Sequence, residues 1–333
     1  MKKTLLSIIL MLIFSQFLAQ AQQVHIVGIE TGLENIASID AVYWHNGNRI
    51  ILPKTTQEAE ANAIAVSGSN VYIVGRDGPD AVYWFNGRRT VLPKVGYSAR
   101  AIAIAVSGSD VYIVGFNGDD IGYWLNGSWR ALPWTGEDAS VTAIAVSGTD
   151  IYITGYDGNY DNQDAVYWHN GRRIALPKVG QRAQASAIAV SESNIYIAGN
   201  DGNYGYDVNY VNFDAVYWHN GRRIVLPKAG NYTEVTAIAI IDSNIHIAGY
   251  DSYFEESIGE TNEAVYWLNR NRSVLPWSNE YGGSFAAAIA IYGGNIFIAG
   301  SDMGVPGYWL NERWIILPKT GWSGHANSIV VTN

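Results

Sequence analysis

The sequence predicts an all-β fold: a seven-bladed β-propeller of four-stranded antiparallel blades, closed by pairing the C-terminal strand with the N-terminal repeat. Three observations predict it. One unit recurs with spacings of 40, 40, 44, 50, 51 and 40 residues, each unit reads as four short strands, and the two chain ends carry complementary parts of one unit. Periods of this size are typical of propellers and solenoids, and no helical period accompanies them.

The unit is clearest from Ala63 onward. Its strands are predicted at Ala63–Ser67, Val71–Val74, Ala81–Phe85 and Arg88–Leu92, with Gly75 ending the second. These segments are rich in Val, Ile, Tyr and Trp and are bounded by turn residues. Four antiparallel strands per unit favour propeller blades over a helical solenoid.

Two dipeptides mark the third strand and the turn after it. Asn86-Gly87 predicts a type I′ hairpin turn, in which both residues have positive φ; Arg270 and Glu312 replace the glycine in units six and seven. Tyr-Trp lies near the end of each third strand, and we expect the tryptophans to fill the core between blades. They are Trp44, Trp84, Trp124, Trp168, Trp218, Trp267 and Trp309.

The chain ends predict closure of the ring. The mature chain starts at a second strand, Val24–Val27, and stops after a lone first strand, Ser328–Val331. Joined, they complete one blade and remove an open sheet edge. The Leu-Pro that ends each outer strand is expected to protect that edge, because proline cannot donate to an added strand.

The first 21 residues are predicted to be a cleavable signal peptide. Lys2 and Lys3 precede an apolar stretch over residues 5–18, and small residues at positions 19 and 21 suit a peptidase. A permanent anchor helix is the alternative, but the stretch is short for a span. The propeller domain is then residues 22–333, secreted or periplasmic, with no membrane span in the mature chain.

Composition excludes several classes of function. The net charge is −9, and removal of Lys2 and Lys3 makes it −11, so nucleic acid and anionic membranes are not expected partners. No cysteine is present, which excludes disulfides, thiolate metal sites and cysteine nucleophiles. We expect a monomer held together by its hydrophobic core.

The unit resembles a known type of repeat. An apolar first strand, a glycine after the second, then Trp-x-Asn-Gly and a leucine are similar to the extracellular propeller-type repeats of bacteria, including the HAF repeats. The outline is also similar to kelch blades, although the paired glycines of kelch are absent. The resemblance covers the whole mature chain and implies a fold, with no catalytic residues to carry over.

Topology divides the loops between two faces. The turns that join strands one to two and three to four form a short, uniform face, and the loops joining strands two to three, with the links between units, form a variable face. Binding is expected on the variable face. An acid or Asn recurs there in all units, and we expect it to accept loop N–H groups. These residues are Glu30, Asp77, Asn117, Asp157, Asp201, Asp251 and Asp302; the lysines of the links supply counter-charges to a second acidic position.

Aromatic residues of the variable face are the candidate ligand-binding residues, because planar rings stack and amides or carboxylates reach hydroxyls. The predicted partner is a protein or a glycan. The candidates are Trp134, Tyr156, Tyr160, Tyr204, Tyr206, Tyr210, Trp277 and Trp322.

A calcium site is a second possibility. Asp157, Asn159 and Asp161 have the alternate-residue oxygen spacing that suits Ca²⁺ in a long loop from Gly155 to Asp164. The glycine expected next and a closing Glu are missing, so a merely polar loop is the alternative.

No catalytic residues are predicted. The six histidines are scattered, and no Ser-His-Asp order, HExxH or P-loop is present. The alternative to a binding protein is a hydrolase or lyase acting on polysaccharide through a pair of carboxylates on the variable face.

Overall fold

The computed structural model describes residues 22–32, 38–203, 212–230, 232–255, 259–277 and 283–333. Within these ranges the chain is all β, with 28 strands and no helix. The predicted signal peptide lies outside the described residues.

The strands fall into seven units of four. Unit 1 is β1 (Gln23–Thr31), β2 (Ile39–His45), β3 (Asn48–Ile51) and the last strand, β28 (Gly324–Thr332). Unit 2 is β4 (Ala59–Ser67), β5 (Asn70–Asp77), β6 (Asp80–Phe85) and β7 (Arg88–Val91). Unit 3 is β8 (Ala99–Ser107), β9 (Asp110–Asn117), β10 (Asp120–Leu125) and β11 (Ser128–Ala131). Unit 4 is β12 (Asp138–Ser147), β13 (Asp150–Asn159), β14 (Asn162–His169) and β15 (Arg172–Ala175).

The remaining units follow the same order. Unit 5 is β16 (Arg182–Ser191), β17 (Asn194–Asn203), β18 (Asn212–His219) and β19 (Arg222–Val225). Unit 6 is β20 (Tyr232–Ile241), β21 (Asn244–Glu255), β22 (Gly259–Leu268) and β23 (Asn271–Val274). Unit 7 is β24 (Ser284–Tyr292), β25 (Asn295–Asp302), β26 (Val305–Leu310) and β27 (Arg313–Ile316).

Units 1, 2, 3 and 7 are separate four-stranded antiparallel sheets, whereas units 4, 5 and 6 form one twelve-stranded mixed sheet. The mixed sheet was not predicted. It arises because Gln163 forms a parallel bridge with Arg182, and Phe213 forms one with Tyr232. Each bridge joins the third strand of one unit to the first strand of the next.

The last strand pairs with the first. β28 lies antiparallel to β1, with Val24 opposite Val331 and Ile26 opposite Ile329. The first strands of units 2 to 7 contact their neighbours in chain order, and β28 contacts both β24 and β4.

The tryptophans of the third strands are all buried, as predicted, with at most 1% of each exposed. Each indole Nε1 donates to the carbonyl of the proline that ends the preceding unit. Trp84 donates to Pro53 at 2.8 Å, and Trp44 of unit 1 donates to Pro318 of unit 7 at 2.8 Å. The prolines therefore accept hydrogen bonds between units in addition to ending the outer strands.

The first two strands are longer than predicted. In unit 2 the first strand starts at Ala59 instead of Ala63, and the second does not stop at its glycine. β5 continues through Gly75 to Asp77, and a bulge in β4 between Ala61 and Ala63 faces it. A Cβ on Gly75 would overlap the carbonyl oxygen of Glu60. Glycine is required because the two backbones approach closely.

The turns of the uniform face have the predicted geometry. Asn86 and Gly87 have φ of 49° and 81°. Arg270 and Glu312, which replace glycine, also have positive φ, 74° and 68°. The turn type is thus kept where the sequence departs from Asn-Gly, at some steric cost.

The long loop predicted from Gly155 to Asp164 is mostly a hairpin extension. β13 runs to Asn159 and β14 starts at Asn162, which leaves only Tyr160 and Asp161 in the turn. Polar composition suggested a loop, but ladder hydrogen bonds use the backbone and tolerate polar side chains.

Candidate functional site

The recurring acids of the variable face are buried and hold the links in place. Asp77 is fully buried and accepts from the backbone N–H groups of Thr55 and Thr56 at 2.7 and 3.0 Å. Glu30, Asn117, Asp157, Asp201 and Asp251 likewise accept link N–H groups. This confirms the predicted structural role.

Five of these acids also form an ion pair that the sequence analysis missed. The partner is an arginine at the second position of the fourth strand. The pairs are Arg49–Glu30 and Arg89–Asp77 at 2.7 Å, Arg223–Asp201 and Arg272–Asp251 at 2.5 Å, and Arg173–Asp157. A buried carboxylate with a charge partner and several donors is fully used by the scaffold.

Units 3 and 7 replace the arginine by tryptophan. Trp129 and Trp314 pack on the core residues Trp124 and Trp309, with ring centroids 4.5 and 4.4 Å apart. The third strands of these units carry Gly122 and Gly307 where the other units have valine, and a Cβ at either glycine would overlap the indole.

The predicted counter-charges of the second acidic position are also present. Lys54 lies 2.7 Å from Asp40, and Lys94 lies 2.5 Å from Asp80. The corresponding pairs of units 4 and 5 are Lys178–Asp164 and Lys228–Asp214. In units 1, 2, 4 and 5, two acids per unit are thus committed to scaffold contacts.

One position of the first strand does differ from unit to unit. It lies directly before the bulge, and its backbone carbonyl faces the glycine of the second strand in every unit. Its neighbours along the strand are small residues. We call these seven positions the variable row: Glu60, Arg100, Ser140, Gln184, Glu234, Phe285 and His325. Because successive first strands contact each other, the row lies at one level near the variable face.

In units 2 and 3 the row carries charge. Arg76 and Arg100 lie 2.7 and 3.0 Å from the two carboxylate oxygens of Glu60. Burial alone would raise the pKa of Glu60, but the hydrogen bond from Arg76 and the charges of both arginines outweigh it and lower that pKa. Glu60 is therefore ionised at neutral pH, and Arg100 remains 48% exposed.

In units 4 and 5 the row is neutral and polar. Gln184 donates to Gln163 at 3.1 Å, and Arg182 reaches the same Gln163 oxygen at 3.4 Å. The Arg182 guanidinium also lies 5.1 Å from the centroid of the exposed Tyr160 ring. Tyr160 is thus tied to residues next to the row.

In units 7 and 1 the row lines a small cavity, and Glu234 of unit 6 lies beside it. Glu234 accepts hydrogen bonds from the hydroxyls of Tyr232 and Tyr250 at 2.8 and 2.6 Å. Next to it, Phe285 packs edge-to-face on Tyr250 with centroids 5.0 Å apart. The adjoining cavity of about 250 Å³ is lined by Thr236, Tyr250, Phe285, Ser301, His325 and Asn327, with small residues between them.

The predicted aromatic residues are distributed unevenly. Tyr160 and Trp322 are 78% and 79% exposed. Trp134 is half-buried against the core of units 3 and 4. Tyr156 lies on β13 directly opposite Ser140 of the row, and Trp277 is half-buried. Tyr204, Tyr206 and Tyr210 lie outside the described residues.

The residues of the predicted calcium site do not point to one place. Asp157 is buried, paired with Arg173 and hydrogen-bonded to Thr135, whereas Asn159 and Asp161 are exposed at the end of the hairpin. No group of three or more His, Asp or Glu side chains suited to a metal is found among the described residues. Calcium binding stays a prediction, and the ion pair counts against it.

A larger cavity of about 480 Å³ lies at the uniform face between units 2 and 3. Its lining includes Tyr83, Leu92, Pro93 and the Asn126-Gly127 turn, which recur in nearly every unit. We place the candidate site at the variable row instead, since residues that repeat serve the scaffold. Among the described residues, no helix has the length and apolar character needed to cross a membrane.

No family model matches the chain, and no curated protein sequence matches it either. Among solved structures, the chain is similar to the computationally designed Ika8 protein, with 14% identity over 91% of this chain and 90% of that chain and a TM-score of 0.48. It is also similar to a 6-phosphogluconolactonase-like protein from Bacteroides uniformis, with 11% identity over 94% and 100% and a TM-score of 0.49. Identities this low say nothing about a shared activity.

Proposed function

We propose that the seven units are the blades of a seven-bladed β-propeller, with the first strands around its axis. The cyclic contacts of the first strands support this, as do the pairing of β28 with β1 and the bond from Trp44 to Pro318. Deletion of residues 328–333 should expose the edge of β1, lower the melting temperature and promote aggregation. A truncated protein that melts like the full one would contradict closure.

We also propose that the protein is exported to the periplasm or the medium after cleavage behind Ala21, and that it is a monomer. The charged and apolar N-terminal segment supports export. N-terminal sequencing of the exported protein should begin at Gln22, and light scattering should give the mass of one chain. A protein that starts at Met1 in the membrane fraction would overturn the export proposal.

The function that the geometry supports best is recognition of a glycan at the variable row. One observation carries this proposal: seven equivalent positions hold six residue types that range from Glu and Arg to Phe, while the residues directly before and after them are only Ala, Gly, Ser, Thr or Val. A symmetric scaffold gains no stability from such differences, whereas an asymmetric ligand requires them. Carboxylates, amides and aromatic rings grouped in a concave surface suit hydroxyls and sugar faces.

A hydrolase or lyase, the enzymatic alternative, requires two carboxylates free to exchange protons. At the row, Glu60 is held by two arginines and Glu234 by two tyrosine hydroxyls. Both carboxylates are arranged to accept hydrogen bonds. This supports binding without cleavage.

The test is a glycan array probed with the mature protein, followed by row variants. We expect a defined set of glycans to bind, and Gln184→Ala and Arg100→Ala to weaken that binding. Ser128→Arg is the matched control, because it changes the opposite face and copies Arg88 of unit 2. A blank array overturns the proposal, and capture of a protein partner then favours a protein ligand. Release of new reducing ends from a bound glycan favours the enzyme.

A further inference from the structure

The cavity of about 250 Å³ between units 6, 7 and 1 is small and open to the surface, and its two walls differ in chemistry. Pockets for drug-sized ligands measure roughly 300–1,000 Å³, so this one has room for a single ring. Phe285 and His325 of the row line it, so a longer ligand can continue along the row.

One wall is aromatic. Phe285 and Tyr250 are half-buried, packed edge-to-face with an interplanar angle of 74°. Such a pair leaves one ring face available to a flat apolar surface, as the C–H face of a sugar provides.

The other wall is polar and neutral. The Ser301 side chain is 1% exposed, and its Oγ lies 2.9 Å from Nδ1 of His325. Burial lowers the pKa of His325, so its ring is neutral at neutral pH. If Nδ1 accepts from Ser301, Nε2 carries the proton and can donate to a ligand oxygen. Asn327 donates to the carbonyl of Ala61 at 3.0 Å, which leaves its amide oxygen as a further acceptor.

The charges around the cavity disfavour an acidic ligand. The residues that line it include no Arg or Lys, and the Glu234 carboxylate lies beside Tyr250 at its edge. A carboxylate or sulfate in this cavity would have no cationic partner. The guanidinium of the row, that of Arg100, belongs to unit 3, and Arg76 beside the row belongs to unit 2.

We propose that this cavity binds one neutral hexopyranose ring, the terminal residue of the glycan recognised at the variable row. The sugar's apolar face contacts Phe285, and its hydroxyls contact Ser301, His325 and Asn327. The proposal rests on the proposed glycan-binding function and adds the class of sugar and the residues that select it.

The experiment is a calorimetric titration of the mature protein with neutral hexoses, hexuronic acids and the best oligosaccharide from the array. We expect neutral hexoses, and not hexuronic acids, to compete with the oligosaccharide. Phe285→Leu keeps an apolar side chain but loses the ring, and should weaken binding at least tenfold; Phe285→Tyr should restore most of it. Ser301→Ala should weaken binding about tenfold. Melting curves of each variant verify folding.

Two outcomes overturn the inference while the proposed function survives: preferential binding of hexuronic acids, or oligosaccharide binding that is lost in Arg100→Ala but unchanged in Phe285→Leu. A blank array with no titration heat for any sugar overturns both. The Ser128→Arg control should bind like the wild type; if it loses binding, the ligand lies at the uniform face and the inference is wrong.

Discussion

The neighbouring units 2 and 3 fill the same space below the variable face with different chemistry. In unit 2, Arg89 reaches the fully buried Asp77 at 2.7 Å. In unit 3, Trp129 packs on the core residue Trp124, and Gly122 leaves room for the indole ring. One unit thus buries an ion pair where the next buries an aromatic ring.

Two positions change together between the two types of unit, and a third changes in unit 3 alone. Unit 3 has neutral Asn117 in place of the acid, together with the glycine and the tryptophan; unit 7 has the glycine and tryptophan but keeps Asp302. The two solutions are alternatives for one volume, and a residue from one is expected to be harmful in the other. Exchanging residues between the two types of unit tests this expectation.

The largest effect is expected when an ion pair is broken on one side. Arg89→Met leaves the buried carboxylate of Asp77 with hydrogen bonds alone, and should cost about 3–5 kcal/mol of unfolding free energy. Urea denaturation measures it, with the exposed neighbour Arg88→Met as control. A loss below about 1 kcal/mol would mean that the Thr55 and Thr56 donors suffice.

A smaller loss of unfolding free energy is expected when valine replaces the glycine that packs against the indole of Trp314. Gly307→Val supplies the residue of the ion-pair units, but its side chain would overlap Trp314, at a cost of about 1–3 kcal/mol. Adding Trp314→Arg completes an ion-pair unit with Asp302 and should recover at least half of the loss. Additive losses in the double variant would refute the idea of alternative solutions.

Converting a whole unit should cost least. The triple variant Asp77→Asn, Val82→Gly, Arg89→Trp copies unit 3 into unit 2 and should remain within about 1 kcal/mol of the wild type, since well-packed replacements of buried ion pairs are often neutral. Thermal unfolding of the triple variant beside Arg89→Met provides the comparison. A triple variant as unstable as Arg89→Met would show that the surroundings of each unit are not interchangeable.

The two types of unit should also differ in how their stability depends on pH. Burial would raise the pKa of Asp77, but hydrogen bonds from Thr56 and Thr55 outweigh it and lower the pKa below the ordinary 3.8. This carboxyl therefore stabilises the fold above that value and ceases to do so as the pH falls through its folded pKa. Between about pH 6 and about pH 3, the wild type should lose about 1 kcal/mol more than the triple variant. Equal losses would mean that Asp77 has no lowered pKa.

Calcium should have the smallest effect. Arg173 already neutralises Asp157, so scanning calorimetry of the wild type with Ca²⁺ and with chelator should give coincident curves. A higher melting temperature in Ca²⁺ that Asn159→Ala abolishes would establish the site that the spacing suggested.

The sequence predicted those features that depend on local spacing. The Trp core and the Asn-Gly turns follow from residues a few positions apart, and the structural role of the acids follows from their recurrence in every unit. The ion pairs could not be found this way, because Arg89 and Asp77 lie on strands separated by a third one. The hairpin from Asn159 to Asn162 was missed because polar side chains obscure a backbone ladder.

The sequence analysis predicted binding by aromatic residues of the variable face, whereas the site that we propose is the variable row near the same face. The sequence analysis selected aromatic residues of loops and links, such as Trp134, which packs against the core. The signal for the row was present: aligned units differ in charge and size at Glu60, Arg100 and their equivalents, whereas the Ala-Ile-Ala segment that follows in the same strand is nearly constant. That Phe285 and His325 of the row line one cavity depends on contacts between units, which no single unit contains.

The glycine of each second strand has a consequence for how such a protein can diversify. The carbonyl oxygen of the row residue packs directly against Gly75 and its equivalents. This contact between two backbones does not involve the row side chain. Selection can therefore exchange one row residue at a time with little penalty in foldability. Related chains would be expected to keep the glycines and to differ at the row, as the loops of antibodies differ on a common frame.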